Sequence, residues 1–295
     1  MTYLDIAARG KNAAWRYAVS VILALALTIV FGVTVMLPLA LMHVLPADFA
    51  DQMQHATRPV TFFLSTAMTF GVLLAGFMAA IAIIHRKRFN DIIGLWRWRA
   101  WALGAGVWTL GLLLATLVDF LAAPSGFSIT ASAQTPMLVA VAVPTLALQT
   151  FTEEFVFRGY VTQGLLLATR RPIVAAVLSG LVFGSVHIPN GWPQAANAVV
   201  FGVILALIAI RTRGLGFGFG LHMVNNLYGA VAVVSGGDVF RGSPGLVTQT
   251  TPGLMWWDTA VGAAALAVVA VMVLKGWIRT GDDALPIETP AEAFL

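Results

Sequence analysis

Apolar residues along this chain come in long uninterrupted runs, with the polar residues gathered in short clusters between them. A helix needs roughly 20 mainly apolar residues to cross a bilayer, and the chain divides into eight such stretches: 17–45, 59–84, 100–123, 136–169, 172–189, 192–210, 214–236 and 256–275. The first is too long for the core of a signal peptide and no clear small-residue cleavage site follows it, so it reads as an uncleaved anchor. The fourth would be about 51 Å long as a straight helix, well beyond the bilayer core. It must tilt, kink or project, and it holds the only carboxylate cluster within a run. The pattern predicts an all-α, polytopic membrane protein of eight transmembrane helices.

The basic residues set the orientation. Arg9, Lys11 and Arg16 precede the first span; Arg86, Lys87, Arg88, Arg97 and Arg99 lie between the second and third. Arg170 with Arg171, Arg211 with Arg213, and Lys275 with Arg279 occupy the remaining alternate loops. Of the 17 lysines and arginines only Arg58 and Arg241 fall on the other side, with Arg158 inside a span. Both termini are therefore expected in the cytoplasm, in a bacterial inner membrane by the Ala-, Gly- and Val-rich composition. Trp96, Trp98, Trp101, Trp256, Trp257 and Trp277 fall at predicted span ends, where indole rings prefer the interface. The segment from Arg86 to Arg99 is too polar to span and is expected to lie along the inner surface. The last sixteen residues, with Asp282, Asp283, Glu288 and Glu292, read as a mobile tail. No repeat suggests a transporter built from inverted halves.

Composition narrows the function. Of the residues 59% are hydrophobic and 10% charged, against about 25% charged in a soluble domain. An ordinary cytoplasmic enzyme, a disordered chain and a disulfide scaffold are excluded. Without cysteine, thiol nucleophiles and thiolate metal sites are excluded as well. The isoelectric point near 9.9 follows from the loop charges and implies no nucleic-acid partner.

The candidate chemistry lies in ionisable residues at bilayer depth, each costing roughly 2.5–3.5 kcal/mol on the lenient insertion scales. They are Asp119, Glu153, Glu154, Arg158, His187 and His222, with Asn225 and Asn226 beside the last. His43 and His85 sit at span ends and His55 in a loop, so they need no special account. Glu154 and Arg158 are i and i+4 on one helix face in the favoured order, so Glu154 can neutralise the guanidinium. Glu153 lies about 100° round the helix and is left available as a general base. His222 and Asn226 are again i and i+4, two neutral donors suited to an oxyanion; Asn225, at i+3, leaves the choice of amide open. Gly214, Gly216, Gly218 and Gly220 thin the seventh helix and allow a neighbour or substrate close approach.

Each residue taken singly has a plainer reading. A lone intramembrane His is commonly an interhelical hydrogen-bonding residue, and a Glu–Arg pair can be a helix staple. Asp119 is expected to be structural and Phe183 to be packing. The combination argues otherwise, because groups that would each need a partner when buried separately can satisfy one another when buried together.

Three motifs carry a resemblance: Glu153-Glu154-x-x-x-Arg158, Phe183-x-x-x-His187 and His222-x-x-x-Asn226. In this order, each within a span, they resemble the CPBP intramembrane proteases, which comprise the type II CAAX prenyl endopeptidases and the bacteriocin-processing and immunity (Abi) proteins. The resemblance covers about 136–236 and implies an active site in a bundle of spans 4–7. It divides the chain into an N-terminal membrane region at 1–135, a catalytic core at 136–236, an outer loop with span 8 at 237–279, and the tail at 280–295. It implies an endopeptidase in which Glu153 and His187 activate water and His222 and Asn226 hold the oxyanion. Glu154 and Arg158 would support the site, beside Phe183 and Asn225, and Arg158 would be placed to touch substrate. The implied partners are membrane lipid and a peptide or protein substrate, lipid-modified in the CAAX branch. No cofactor is expected to be required. If zinc were bound, Glu153, His187 and His222 would be its ligands, but the chain has no His-Glu-x-x-His. The rival readings are a non-catalytic binding or immunity protein and a proton-coupled transporter.

Overall fold

The computed structural model describes residues 1–45, 49, 58–237, 239–250 and 255–281. His55 and the tail from Asp282 onward lie outside them. Helices fall where the apolar runs predict: α1 (Tyr3–Ala7), α2 (Ala14–Leu41), α3 (Pro59–His85), α4 (Phe89–Ile93), α5 (Trp98–Ala122), α6 (Thr135–Thr169), α7 (Pro172–Ser185), α8 (Trp192–Thr212), α9 (Gly216–Leu227) and α10 (Met255–Leu274). Among the described residues, six are long and apolar enough to cross a membrane: α2, α3, α5, α6, α8 and α10. The fifth and seventh predicted spans are shorter than the sequence pattern suggests. α7 has only 14 residues and ends at Ser185, before His187, while α9 has 12 and runs on as wider turns over Tyr228–Ala232.

The basic segments meet at one end of the bundle. Arg9 pairs with Asp91 at 3.0 Å, Gly94 bridges to Gly214, Arg213 donates to the carbonyl of Met1 and Arg97 to that of Gly281. Among the described residues, the opposite end carries three short strands that a wholly helical reading does not anticipate: β1 (Phe127–Ile129), β2 (Val233–Ser235) and β3 (Val247–Gln249). β3 lies in the middle, antiparallel to β1 and parallel to β2. Three residues each are too few to show a periodic signal in the sequence.

The long fourth helix neither breaks nor stays regular. Between Glu154 and Val161 its turns widen to the π form, which inserts residues into the ladder and leaves carbonyls in need of donors. The Phe157 carbonyl accepts from the hydroxyls of Thr162 at 2.8 Å and Ser179 at 3.1 Å. The Arg158 carbonyl accepts from Tyr3 at 2.8 Å. Tyr3 is 2% exposed, and burial raises its phenol well above the ordinary value, so it stays a donor. The N-terminal helix is thus a structural part of the widened turn.

Part of the segment from Arg86 to Arg99 is packed into the bundle. Ile92 and Ile93 are buried against Phe155, Val156 and Tyr160, and the Lys87 ammonium is buried, donating to Ala7 O at 2.7 Å and Gln163 Oε1 at 3.3 Å. His85 also needs an account after all. It is fully buried, with Nδ1 2.7 Å from the Lys11 carbonyl and Nε2 2.9 Å from the Tyr160 hydroxyl. Loop polarity misleads here because the polar atoms are satisfied internally, by backbone carbonyls of the N-terminal segment.

Candidate active site

α6 presents Glu153 and Glu154 at the start of its widened turns, and α9 presents His222 between them. His222 Nδ1 lies 2.8 Å from Glu154 Oε1, and its Nε2 lies 3.4 Å from Glu153 Oε2. The carboxylate accepts, so Nδ1–H is the donor to Glu154 and the ring orientation is set. Glu153, Glu154 and His222 are 7%, 0% and 5% exposed. Such desolvation is tolerable only for groups that pair. Gly218 makes the approach possible, since a Cβ there would lie 3.1 Å from Glu154 Oε2.

Arg158 lies one turn beyond Glu154, with Nη1 3.4 Å from Glu154 Oε1 and no exposed surface. Its guanidinium carbon sits 4.0 Å from the centre of the Phe183 ring, a cation–π contact worth about 2 kcal/mol when desolvated. Phe183 is therefore both packing, as expected, and a wall of the charged cluster. Glu154 serves Arg158 and His222 together. Glu153 is not wholly uncommitted either, because Gln149 Nε2 donates to its Oε1 at 3.4 Å.

His187 stands apart from this cluster. It follows the end of α7, where its Nδ1–H donates to the Phe183 carbonyl at 2.8 Å, leaving Nε2 as the nitrogen with a lone pair. Its ring centroid is 4.5 Å from that of Phe183, which is 6.1 Å from that of His222. One phenyl ring thus separates the two imidazoles. Asn226 turns toward α6 and donates to Thr150 Oγ1 at 3.4 Å, one turn ahead of the two glutamates. Asn225 turns the other way, accepting from Trp108 Nε1 at 3.1 Å. The two amides that spacing left equivalent are distinguished by what they face. Asp119 lies outside the cluster at the strand end of the bundle, where it accepts from Gln249 Nε2 at 3.3 Å.

Gln149, Thr150, Trp108 and Tyr3 touch the site or its support and carry no motif. Gln149 and Thr150 were within reach of sequence reasoning, since each lies one turn before a glutamate on the same helix face. Trp108 and Tyr3 come from distant segments and have no such signal.

On the basic side of the cluster lies a cleft of about 480 Å³ lined by Phe89, Asn90, Ile93, Trp96, Phe151 and Phe219. Phe151 and Phe219, which come from the two helices that carry the cluster, meet edge to face at 5.6 Å in the wall of the cleft.

Of the three residues a zinc ion would need, Glu153 and His222 face each other through Oε2 and Nε2 at 3.4 Å, whereas His187 is held at the end of α7 on the Phe183 carbonyl. Among the described residues no three His, Asp or Glu side chains are gathered as metal ligands.

The segment that carries this cluster is similar to a protease family. The model of the type II CAAX prenyl endopeptidase Rce1-like family matches residues 135–228, so the resemblance carried by the three motifs is borne out over that segment, from the start of α6 to the end of α9. With its apolar helices the chain is an integral, multi-pass membrane protein, similar over that segment to the type II CAAX prenyl endopeptidases. Over 262 residues it is 22% identical to the Bacillus subtilis (strain 168) protein named Uncharacterized protein YyaK, covering 84% of this chain and 87% of that one. No solved structure matches the chain.

Proposed function

We propose that this protein is an intramembrane endopeptidase that cleaves membrane-associated or lipid-modified peptides through a glutamate-activated water. The observation that carries the reading is the convergence of two adjacent buried carboxylates on the two nitrogens of one imidazole, at 2.8 and 3.4 Å. Two carboxylates, one guanidinium and one shared proton make a neutral cluster. That suits a site at membrane depth, where net charge is costly.

In this mechanism Glu153 takes a proton from water as the water oxygen bonds to the scissile carbonyl carbon. The carbonyl oxygen, now negative, accepts hydrogen bonds from His222 Nε2–H and Asn226 Nδ2–H. Glu154 holds His222 through Nδ1, and Arg158 pairs with Glu154. The proton passes from Glu153 to the leaving nitrogen as the C–N bond breaks. His187 offers its Nε2 to the same water from beyond Phe183, an approach that substrate binding must tighten. A metal-free reaction is favoured because His187, the third ligand zinc would need, is not gathered with Glu153 and His222. Stoichiometric zinc in active protein, with activity lost on its removal and restored by zinc alone, would overturn that part.

The basic end of the bundle, with both chain ends, is assigned to the cytoplasm by the positive-inside rule. α7 and α9 complete an eight-span count, and a bacterial plasma membrane suits the composition. The test compares new peptide termini by mass spectrometry in membranes expressing the wild type or Glu153→Gln at equal levels. Termini found only with the wild type are expected, and their sequences name the substrate. Their absence, with no effect of His187→Ala, would refute the protease reading and assign a binding or immunity role.

A further inference from the structure

Resting on that reading, we infer that Trp108, on α5 and outside the segment matched by the family, is the residue that orients the Asn226 amide toward the reacting carbonyl. A carboxamide is nearly the same shape either way round, so packing alone does not decide whether it presents its N–H or its oxygen. In the oxyanion role only one answer works: N–H stabilises the developing charge, and a flipped amide would oppose it with an oxygen lone pair.

The orientation is decided by a one-way chain of hydrogen bonds. An indole N–H can donate and cannot accept, so the atom of Asn225 facing Trp108 Nε1 at 3.1 Å is the amide oxygen. The Asn225 amino group is then turned away from Trp108 and donates to Asn226 Oδ1 at 3.3 Å. With its oxygen occupied on that side, Asn226 carries its own amino group on the opposite arm, toward Thr150 and α6. Every donor in the series points from α5 toward the glutamates. Trp108 can hold this register because it is itself held: it is 4% exposed and packs edge to face on Phe201 at 6.2 Å. Phe201 in turn lies 5.1 Å from the His222 ring. Trp108 is thus a positioning residue, acting through two amides on the oxyanion site.

The experiment measures kcat and KM for an internally quenched peptide spanning the cleavage site found in the membrane comparison. Trp108→Phe keeps an aromatic ring and removes the donor. The expected result is a fall in kcat of about tenfold, below the 10²–10³ that loss of a whole oxyanion donor produces, with KM unchanged. Asn225→Asp keeps the acceptor for Trp108 and removes the donor to Asn226; the same fall is expected without any change in the aromatic core. The deciding measurement is the double variant. Trp108→Phe added to Asn226→Ala should cost nothing further, because the group it positions is already gone. Unchanged kcat in both single variants, or losses that multiply in the double variant, would overturn the inference. Glu153→Gln in parallel separates the two failures: full activity there refutes the glutamate-activated reading, whereas its inactivity beside unaffected Trp108 and Asn225 variants refutes the relay alone.

Discussion

Replacing Glu154 by Gln should destabilise this protein far more than the same change at Glu153, although the two residues are neighbours. Arg158 has no exposed surface, and the carboxylate 3.4 Å away on Glu154 is its ion-pair partner. At that distance, with an effective dielectric constant of 20, the attraction is about 5 kcal/mol. Removing one partner of a buried pair costs about 3–5 kcal/mol, because the other charge stays behind without compensation. For a chain of this size that lowers the unfolding midpoint by about 10 °C. Gln at 153 can still meet Gln149 and His222, and its removal leaves the Arg158–Glu154 pair intact. Thermal unfolding in detergent should therefore place Glu153→Gln near the wild type and inactive, with Glu154→Gln clearly below both. Glu154→Gln combined with Arg158→Met, which removes both charges, should recover most of the loss. A Glu154→Gln protein as stable as the Glu153→Gln protein, or a double variant no better than the single, would refute the argument.

Two further outcomes test the supporting structure. Burial lowers the Lys87 ammonium from its ordinary value to about 8; between pH 8 and about 10.5 the folded state sheds a proton that the unfolded chain keeps, so stability rises with pH by about 3 kcal/mol. Lys87→Met should flatten that rise in denaturant titrations at stepped pH, and an unchanged slope would show that Lys87 is not its source. Gly104 admits α9 so closely that a Cβ would lie 2.1 Å from the Phe217 carbonyl, whereas Gly32 has nothing within 4 Å; Gly104→Ala should cost about 1–3 kcal/mol through overpacking and reduce cleavage, and Gly32→Ala neither. Equal unfolding midpoints for the two alanine variants would rule out close α5–α9 packing.

Local order determined what was legible in the sequence. Apolar runs locate the helices because burial in lipid demands continuous hydrophobicity, and helical periodicity places Glu154 with Arg158 and His222 with Asn226 without any knowledge of the fold. The alternation of basic loops likewise anticipates the end at which α1, α4 and the 213–214 turn meet. What periodicity cannot reach is any contact between helices, since depth and azimuth depend on packing over the whole bundle. Only the tertiary structure puts His222 rather than His187 between the two glutamates, with Phe183 between the imidazoles. It turns Asn225 to Trp108 and Asn226 to Thr150, though spacing from His222 leaves either amide a candidate. It buries Lys87, His85 and Tyr3, whose polar neighbours in the sequence suggest a wet loop, because their hydrogen-bond partners are carbonyls and side chains many residues away. The chemistry was written in local spacing; its geometry was settled by long-range packing, which the order of residues specifies only through the folded whole.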